Sequence, residues 1–407
     1  MATVIRTATE LQAMSADLDG DYELGCDFDA SETAAWNGGL GFAPVGNSTT
    51  EFTGTFDGKG FTVTGLTINR PATDGVALFG ETEAATIQNV TLASASIIGR
   101  DEAAPLIGQA EAGTQVTNCH ASGTVSGRYN AGGLIGNLSD ASAVLRSSHS
   151  DVVVTGSATD AGGLFGGCQG QVYDCYATGA VTGYDYVGGL GSLYVSGHAS
   201  CCYATGAVEA TNDYAGGLFG YCGESSVADC YARGAVTGSG VASDGVGGLA
   251  GDVYDADFAR CYSTGAVSGV TNVGGFVGYI AGGDPSTFTG CCWDTTTSGS
   301  ASASGGGALT GVTGYETASL QDANVVQSEG FAIGRDWNLI GACNAGYPCL
   351  IGVNACCSLR VTPADITVSK TKPSLELIRN LEMQCDGRFY IAKDGKATYE
   401  SRFSRHG

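Results

Sequence analysis

The sequence is poor in proline and in histidine. Seven of its 407 residues are proline and four are histidine. A low proline content suits a chain whose backbone N–H groups are needed as hydrogen-bond donors, since proline lacks that donor. Scarce histidine, without recurring Cys-x-x-Cys pairs, argues against zinc binding. No Ser-His-Asp or Cys-His arrangement is evident, and no glycine-rich string has the phosphate-loop pattern.

Basic residues are also scarce. Lysine and arginine number 18 against 41 aspartates and glutamates, and the formal net charge at pH 7 is −23. Nucleic-acid binding needs a basic surface, so the composition argues against a nucleic-acid partner and against an anionic membrane. Negative charge keeps a long β-rich surface soluble.

Long apolar runs are absent as well. No span of 18 apolar residues occurs, and the first ten residues have neither the basic nor the apolar stretch of a secretory leader. No signal peptide is therefore visible. We expect either that a leader was removed or that the protein reaches the outside by another route, such as assembly into a virion.

What the sequence has in abundance is a repeat of about 28 residues. One half reads G-G-L-[FI]-G, as in 132–136 and 216–220, and the other reads C-Y-A-T-G-A-V, as in 175–181 and 202–208. The apolar centres of the first half are Leu78, Leu106, Leu134, Leu164, Leu190, Leu218, Leu249 and Phe276. A fixed period of this size predicts a solenoid.

The repeats have the apolar patterning of strands, with no sustained helical period. The 66 glycines provide for many tight corners. We predict an all-β fold: a right-handed parallel β-helix (solenoid) of about eight coils, closed at both ends and followed by a small α+β module. Stacked coils rise about 4.8 Å each.

Alternation within C-Y-A-T-G-A-V places cysteine, alanine and valine on one face and tyrosine on the other. We predict an inward ladder of buried thiols that act as small hydrophobic groups. Its members are Cys119, Cys175, Cys202, Cys230, Cys261 and Cys292. Cys168–Cys175 and Cys222–Cys230 are alternative disulfide staples, and Cys343–Cys349 is a better disulfide candidate in the closing segment.

The tyrosines should form an outward aromatic ladder, with His120 and His149 as substitutes for tyrosine. Stacked rings can bind sugars or protein surfaces, so this ladder is the predicted binding site. Its proposed residues are Tyr176, Tyr203, Tyr231, Tyr262 and Trp293. The alternative is that the ladder only stabilises the sheet face.

At these residues the chain resembles the GLUG-motif repeat proteins over about residues 1–357. The resemblance includes the entry segment 52–60 and the closing segment 293–299. It implies a β-solenoid of adhesin-like surface proteins or viral appendages, and it implies no chemistry for the motif. Ala104-Pro105 departs from the motif by replacing Gly-Gly, and Gly191-Ser192 breaks it.

A composition break lies near residue 358. Residues 358–407 hold nine of the 18 basic residues and six acidic ones, so this segment is near +3 and the rest near −26. A helical run, 374–383, precedes two alternating segments around Asp394-Gly395, which predict a hairpin. This short module resembles one in tail proteins of long-tailed phages.

We therefore divide the chain into four parts. They are a capping segment with the first coils at 1–70, the repeat solenoid at 71–300, a closing segment at 301–357 and the helix-plus-hairpin module at 358–407.

Clustered acids are the chemistry to look for on a solenoid. Asp160, Asp185, Asp213 and Asp244 recur about once per coil before the Gly-Gly pairs. They are interpreted as solvated turn residues, with calcium binding or a glycosidase carboxylate pair as alternatives. We predict neither a cofactor nor a bound metal.

The sequence favours a non-enzymatic attachment or structural protein, on a virion tail or on the extracellular cell surface. Its partners would be a host surface glycan or protein and, through residues 358–407, other virion or envelope proteins. Self-association into a homo-oligomer is left open. The alternative functions are a glycan-degrading tailspike-like enzyme and a pure assembly scaffold.

Overall fold

The computed structural model describes residues 1–240, 244–282, 286–333, 335–339, 344–351 and 353, together with the backbone of the strands Gly387–Ile391 and Ala397–Ser401. The chain divides into two compact units, Met1–Gly330 and Phe331–Gly407. The first unit is an all-β parallel solenoid of about nine turns in the described residues, which confirms the predicted fold class with one turn more than expected.

Four parallel sheets run along the solenoid, and each coil adds strands to them. Sheet A contains Thr3–Ile5, Asp21–Leu24, Thr55–Asp57, Thr86–Gln88, Gln115–Thr117, Val144–Arg146, Gln171–Tyr173, His198–Ser200, Ser226–Ala228, Asp257–Ala259 and Thr287–Thr289. Sheet B contains Phe28–Asp29, Thr62–Thr64, Thr67–Asn69, Thr91–Ile98, His120–Gly127, His149–Ser150, Val153–Gly156, Tyr176–Ala177, Val181–Gly183, Tyr203–Ala204, Val208–Ala210, Tyr231–Ala232, Val236–Gly238, Tyr262–Ser263, Val267–Ser268, Cys291–Asp294 and Val312–Tyr315.

The other two sheets carry the glycine motif. Sheet C contains Phe79–Thr82, Ile107–Ala110, Ile135–Leu138, Phe165–Cys168, Gly191–Leu193, Phe219–Gly223, Ala250–Tyr254, Val277–Ile280 and Ser304–Gly306. Sheet D contains Ala131–Gly132, Thr159–Gly162, Asp185–Gly188, Ala215–Gly216, Asp244–Gly247 and Thr271–Gly274.

Helices are short and lie near the ends of the first unit. An N-terminal helix, Ala8–Ala13, is continued by the 3-10 turn Met14–Ala16, and the Thr7 hydroxyl caps it by accepting from the Glu10 amide. Two short helices, Thr317–Leu320 and Ala323–Ser328, lie near the other end. The remaining helical segments are Ser31–Gly39, Thr295–Ser298 and, in the second unit, Asn344–Gly346.

One core runs the length of the solenoid. The sheets contribute inward residues that are held opposite their equivalents by the parallel register, as with Val116, Leu145 and Val172 in sheet A. The predicted leucine row stacks in the same way: the Leu134 amide donates to the Leu164 carbonyl, and both side chains are fully buried. A single coil could not bury this face, so the stack is the folding unit.

The G-G-L-[FI]-G motif is a corner too tight for side chains. A Cβ on Gly216 would lie 1.8 Å from the Phe219 carbonyl oxygen, and one on Gly217 would lie 2.2 Å from the Gly248 carbonyl oxygen of the next coil. The last glycine of the motif packs on the backbone of the preceding coil, since a Cβ on Gly220 would lie 2.2 Å from Tyr186. Glycine is therefore required by close backbone approach both within a coil and between coils.

A second corner follows sheet A and sets the register of the cysteines. In each coil one residue has a left-handed backbone, and the next residue points into the core. The corner residues are Asn89, Asn118, Ser147, Asp174, Cys201, Asp229, Arg260 and Gly290. Asparagine and aspartate tolerate this conformation better than most residues, which explains their frequency here.

The described part of the second unit contains two short antiparallel strand pairs. Its strands Trp337–Asn338 and Cys349–Leu350 pair antiparallel, and the buried Trp337 ring packs edge-on against Phe331 at 4.9 Å. The strands Gly387–Ile391 and Ala397–Ser401 also pair antiparallel, where the sequence predicts a hairpin. The predicted helix 374–383 and the Asp394-Gly395 turn lie outside the described residues.

Candidate functional site

The aromatic ladder occupies one register position of sheet B. Each ring pairs with the equivalent ring of the next coil. Ring centroids lie 4.1 Å apart for His120 and His149, and 4.5 Å apart for His149 and Tyr176. The ring centroids of the tyrosine pairs that follow are 4.8 or 4.9 Å apart, and the rings are nearly parallel; the pairs are Tyr176–Tyr203, Tyr203–Tyr231 and Tyr231–Tyr262. The predicted stacking is therefore present.

Exposure changes along this ladder. Tyr203, Tyr231 and Tyr262 are buried, with exposed fractions of 6%, 0% and 1%. His120, His149 and Tyr176 are partly exposed. The prediction of an exposed row is thus correct for the N-terminal end of the ladder only, and these three rings are the part that can meet a ligand.

The last predicted members of both ladders are displaced by one position. Cys292 lies opposite Tyr262, and Trp293 lies opposite Ser263 rather than in the aromatic row. Cys291 follows the corner residue Gly290 and continues the thiol ladder. The prediction is wrong at this coil because the corner, not the aromatic ring, fixes the register.

The other ladder cysteines point into the core, as expected. Cys175, Cys202 and Cys230 are fully buried free thiols. Each thiol donates to the carbonyl oxygen two residues earlier, as Cys175 does to Tyr173 at 3.0 Å. Burial raises the pKa of Cys119 to about 12, so this thiol stays protonated at neutral pH.

The disulfide predictions have different outcomes. Cys168, Cys175, Cys222 and Cys230 are free thiols, so the two alternative staples are absent. Cys349 is disulfide-bonded. Its predicted partner Cys343 lies outside the described residues, and that pairing stays a prediction.

Polar groups flank the open end of the aromatic ladder. His120 Nε2 lies 3.1 Å from Asp151 Oδ2, and the Thr178 hydroxyl donates to the other oxygen of the same carboxylate. Burial, and then the neighbouring His120, lower the pKa of His149 to about 4. His149 is therefore neutral at pH 7 and offers an uncharged ring between its two neighbours. This end combines ring faces with a half-exposed carboxylate.

The once-per-coil aspartates do not form one uniform stripe. Asp160 is buried and accepts a hydrogen bond from the Tyr194 hydroxyl. Asp185 is partly exposed and accepts from the Asn212 amide and the Asp213 backbone N–H at 2.8 and 2.9 Å. The side chain of Asp244 lies outside the described part of the chain. These contacts are those of turn-stabilising residues.

Two carboxyls near the N-terminal end of sheet C are unusually hard to ionise. Burial, followed by repulsion from Glu81, raises the pKa of Glu102 to about 7, and burial also raises the pKa of Glu81. Glu81 lines an open pocket of about 410 Å³ together with Asp74 and Asn47. A carboxyl half-protonated at neutral pH can donate or accept a proton.

A tyrosine patch beside the strands of sheets C and D was not found from the sequence. It consists of Tyr186, Tyr194, Tyr214, Tyr221 and Tyr279, all partly exposed. Tyr186 and Tyr214 stack at 5.0 Å, and Tyr221 meets Tyr186 edge-on at 5.4 Å. The available signal was the recurrence of tyrosine two residues before a Gly-Gly pair, at Tyr186 and Tyr214, and directly after the last glycine of the motif, at Tyr221 and Tyr279.

Within the described residues, no group of three or more histidine, cysteine or acidic side chains is arranged to hold a metal ion. Nor does any described helix have the length and apolar character to cross a membrane.

Comparison with known proteins relates the start of the chain to a peptidase family. Residues 7–123 match the family described as the N-terminal region of M26 IgA1-specific metallo-endopeptidases, which is less than a third of the chain. A segment of 107 residues is 41% identical to halomucin of Haloquadratum walsbyi (strain DSM 16790 / HBSQ001). That segment is 24% of this chain and 1% of halomucin, so the chain spans a very small part of that relative.

Two solved structures are distantly similar to this chain. One is a Bacteroides ovatus protein provisionally assigned as an immunoglobulin A1 protease, with 19% identity, a TM-score of 0.46, and coverage of 86% of this chain and 92% of that one. The other is an IgA1 protease with 16% identity and a TM-score of 0.47, covering 79% of this chain and 24% of that one. Neither function nor activity follows from such distant likenesses.

The family match corrects one prediction. From the sequence we expected a protein that is not an enzyme. The finding that residues 7–123 match a region of metallo-endopeptidases contradicts that expectation, because the described family is one of proteases.

Proposed function

We propose that this solenoid is the ligand-engaging region of an extracellular or cell-surface protein, and that it binds a host surface glycan or protein. The observation that carries the proposal is the open end of the aromatic ladder, where His120, His149 and Tyr176 stack beside Asp151. Stacked, partly exposed rings with an adjacent hydrogen-bond acceptor suit a sugar ring or the aromatic and amide groups of a protein surface.

The solenoid supports this role mechanically. Parallel coils hold equivalent side chains at a fixed spacing, so the site is positioned by backbone hydrogen bonds rather than by a mobile loop. The strongly negative composition keeps the long surface solvated. The finer likeness to GLUG-motif proteins, which rests on the repeat residues, favours the same surface location.

The family match of residues 7–123 favours a second function, in which the solenoid binds the substrate of a peptidase. The matched description names immunoglobulin A1 as the target of that family, so a secreted host glycoprotein is the substrate class we propose for testing. The solenoid would then hold the substrate, so a substitution in the aromatic ladder should weaken substrate binding.

Binding is tested with the purified chain on arrays of host glycans and glycoproteins. Tyr176→Ala should weaken capture about tenfold or more, because it removes one exposed ring from the stack. The matched control Tyr184→Ala removes a ring that is 46% exposed but lies outside the ladder, and it should leave capture unchanged. Equal capture by both variants would refute the assigned site.

Location and activity need the natural protein. A membrane-impermeant label on intact cells, and co-purification with envelopes or with virions, separate a cell-surface protein from a virion tail protein; recovery in the cytosol alone would contradict both.

If the solenoid binds the substrate of a peptidase, the natural protein cleaves a host glycoprotein, and Tyr176→Ala raises KM without changing kcat. An unchanged KM would refute the substrate-holding role.

A further inference from the structure

The tyrosine patch surrounds a buried carboxylate. Asp252 lies opposite Tyr221 on one neighbouring strand and opposite Tyr279 on the other. Tyr194 packs against Tyr221 with 5.2 Å between ring centroids, and the patch continues to Tyr186 across the edge-on contact. Asp252 thus sits on the outer face of sheet C among aromatic rings.

This carboxylate is hidden and incompletely paired. Asp252 is 7% exposed, and its Oδ1 makes no hydrogen bond in the structure. Burying a charged oxygen without a partner is unfavourable, and such groups in native proteins call for an explanation. Burial raises the pKa of Asp252 only to about 6, which still leaves the carboxylate mostly ionised at pH 7.4.

The surrounding sequence is strongly acidic. Residues 146–260 contain three basic residues against twelve acidic ones, and two of the three, Arg146 and Arg260, form ion pairs with Asp174 and Asp229. Asp160, which accepts from the Tyr194 hydroxyl, adds a second buried acid at the edge of the patch. The field at the patch is therefore one that attracts a cation.

Ring geometry narrows the class of cation. The Tyr186 and Tyr214 rings stack on each other, and the Tyr221 ring stands at 66° to that of Tyr186. The stacked pair therefore forms one wall of the patch and Tyr221 forms the other. Tyrosine faces attract ammonium groups within about 6 Å of the ring centre, most strongly where water is excluded. A neutral sugar could stack on these rings but would leave the Asp252 charge unpaired.

We propose that the tyrosine patch binds an organic ammonium cation, whose charge is shared between the tyrosine faces and the Asp252 carboxylate. Two sources have this chemistry: the primary ammonium of a lysine side chain, and a quaternary ammonium such as choline. The patch lies on sheets C and D and is separate from the aromatic ladder on sheet B, so the proposal does not depend on the proposed attachment function.

The test is a titration of the purified chain, followed by tyrosine NMR signals and by saturation transfer to the ligand. Choline and Nα-acetyl-lysine methylamide are the two probes, and 3,3-dimethylbutanol is the neutral isostere of choline. We expect a Kd of about 1–10 mM for at least one cationic probe and about tenfold weaker binding of the neutral isostere. Comparison of the two cations identifies the source.

Variants locate the site. Asp252→Asn keeps the shape, removes the charge and should reduce cation affinity about tenfold. Tyr186→Asn removes a ring at a left-handed backbone position that asparagine tolerates, and it should have a similar effect. The matched control Asp255→Asn alters an exposed acid three residues away, also at a left-handed position, and should leave affinity unchanged.

Three results would overturn the proposal: no binding of either cation, equal binding of the neutral isostere, or equal affinity in Asp252→Asn. The circular dichroism spectrum and Tm of each variant show that it is folded, and Tyr186→Asn provides a second route should Asp252→Asn fold poorly. None of these outcomes bears on glycoprotein capture at His120, His149 and Tyr176.

Discussion

At the residue scale, the middle of the aromatic ladder is a packing element. Tyr203 is 6% exposed, and its ring centroid lies 4.8 Å from the ring centroids of both Tyr176 and Tyr231. Tyr203→Ala should lower the free energy of unfolding by about 3–4 kcal/mol, since it removes a buried ring and two stacking contacts. Tyr203→Phe keeps the ring and should cost less than about 1.5 kcal/mol. Thermal unfolding of the two variants makes the comparison; similar losses would show that the ring faces contribute little.

A second residue-scale prediction concerns Glu102. Its folded-state pKa of about 7 lies above the ordinary value of 4.5, so the protonated form favours folding. The stabilisation is complete below about pH 4.5 and is lost as the pH rises to 7. Glu102→Gln should therefore match the wild type near pH 5 and be more stable at pH 8, by about 1–2 kcal/mol after allowance for solvent screening.

The measurement for Glu102 is Tm against pH for both proteins. A control at the exposed Glu32, Glu32→Gln, accounts for the general effect of removing one negative charge. If the difference between Glu102→Gln and wild type did not change between pH 5 and pH 8, the assigned environment of Glu102 would be wrong.

At the element scale, the glycine corner determines whether coils can stack. Gly216→Ala would place a Cβ 1.8 Å from the Phe219 carbonyl oxygen, and backbone cannot move aside as a flexible side chain can. We expect a loss of about 3 kcal/mol or more, or failure to fold. Gly282→Ala is the matched control because its added Cβ meets nothing within 4 Å, and it should change stability by less than about 0.5 kcal/mol. Soluble expression and Tm decide between these outcomes.

The repeat made sheets, corners and core rows predictable, because one period constrains every coil. The error at Cys292 and Trp293 arose from matching the Cys-aromatic pair rather than the inward residue of sheet A. In earlier coils the ladder cysteine comes three residues after that inward residue, as Cys230 follows Val227. Counting three residues from Phe288 gives Cys291, the position that the structure shows.

The tyrosine patch was less predictable for a physical reason. Outward positions of sheet C accept glycine, serine, tyrosine and aspartate in successive coils, so they have no shared residue type to reveal the row. Asp252 is an example. In the sequence it is one of several acidic residues close together, and only the strand register places it between Tyr221 and Tyr279.

At the scale of the whole first unit, both proposed sites follow from the same property. Parallel coils bring residues about 28 positions apart in the sequence into direct contact, so rings from successive repeats become continuous surfaces. The open end of the aromatic ladder lies on sheet B and the tyrosine patch on sheets C and D. A rod of this kind can therefore present separate binding surfaces without any change in backbone.

The in-register coil stack is the claim on which both sites depend, and spin-label distances test it most directly. Thr86, Ser226 and Thr287 occupy one register row of sheet A, with Ser226 five coils and Thr287 seven coils from Thr86. Nitroxides on non-natural amino acids at Thr86 and Ser226 should lie about 24 Å apart, and those at Thr86 and Thr287 about 34 Å apart, because each coil adds about 4.8 Å. Narrow distributions that differ by two coil spacings would support the stack. Broad distributions, or two distances without that increment, would contradict it.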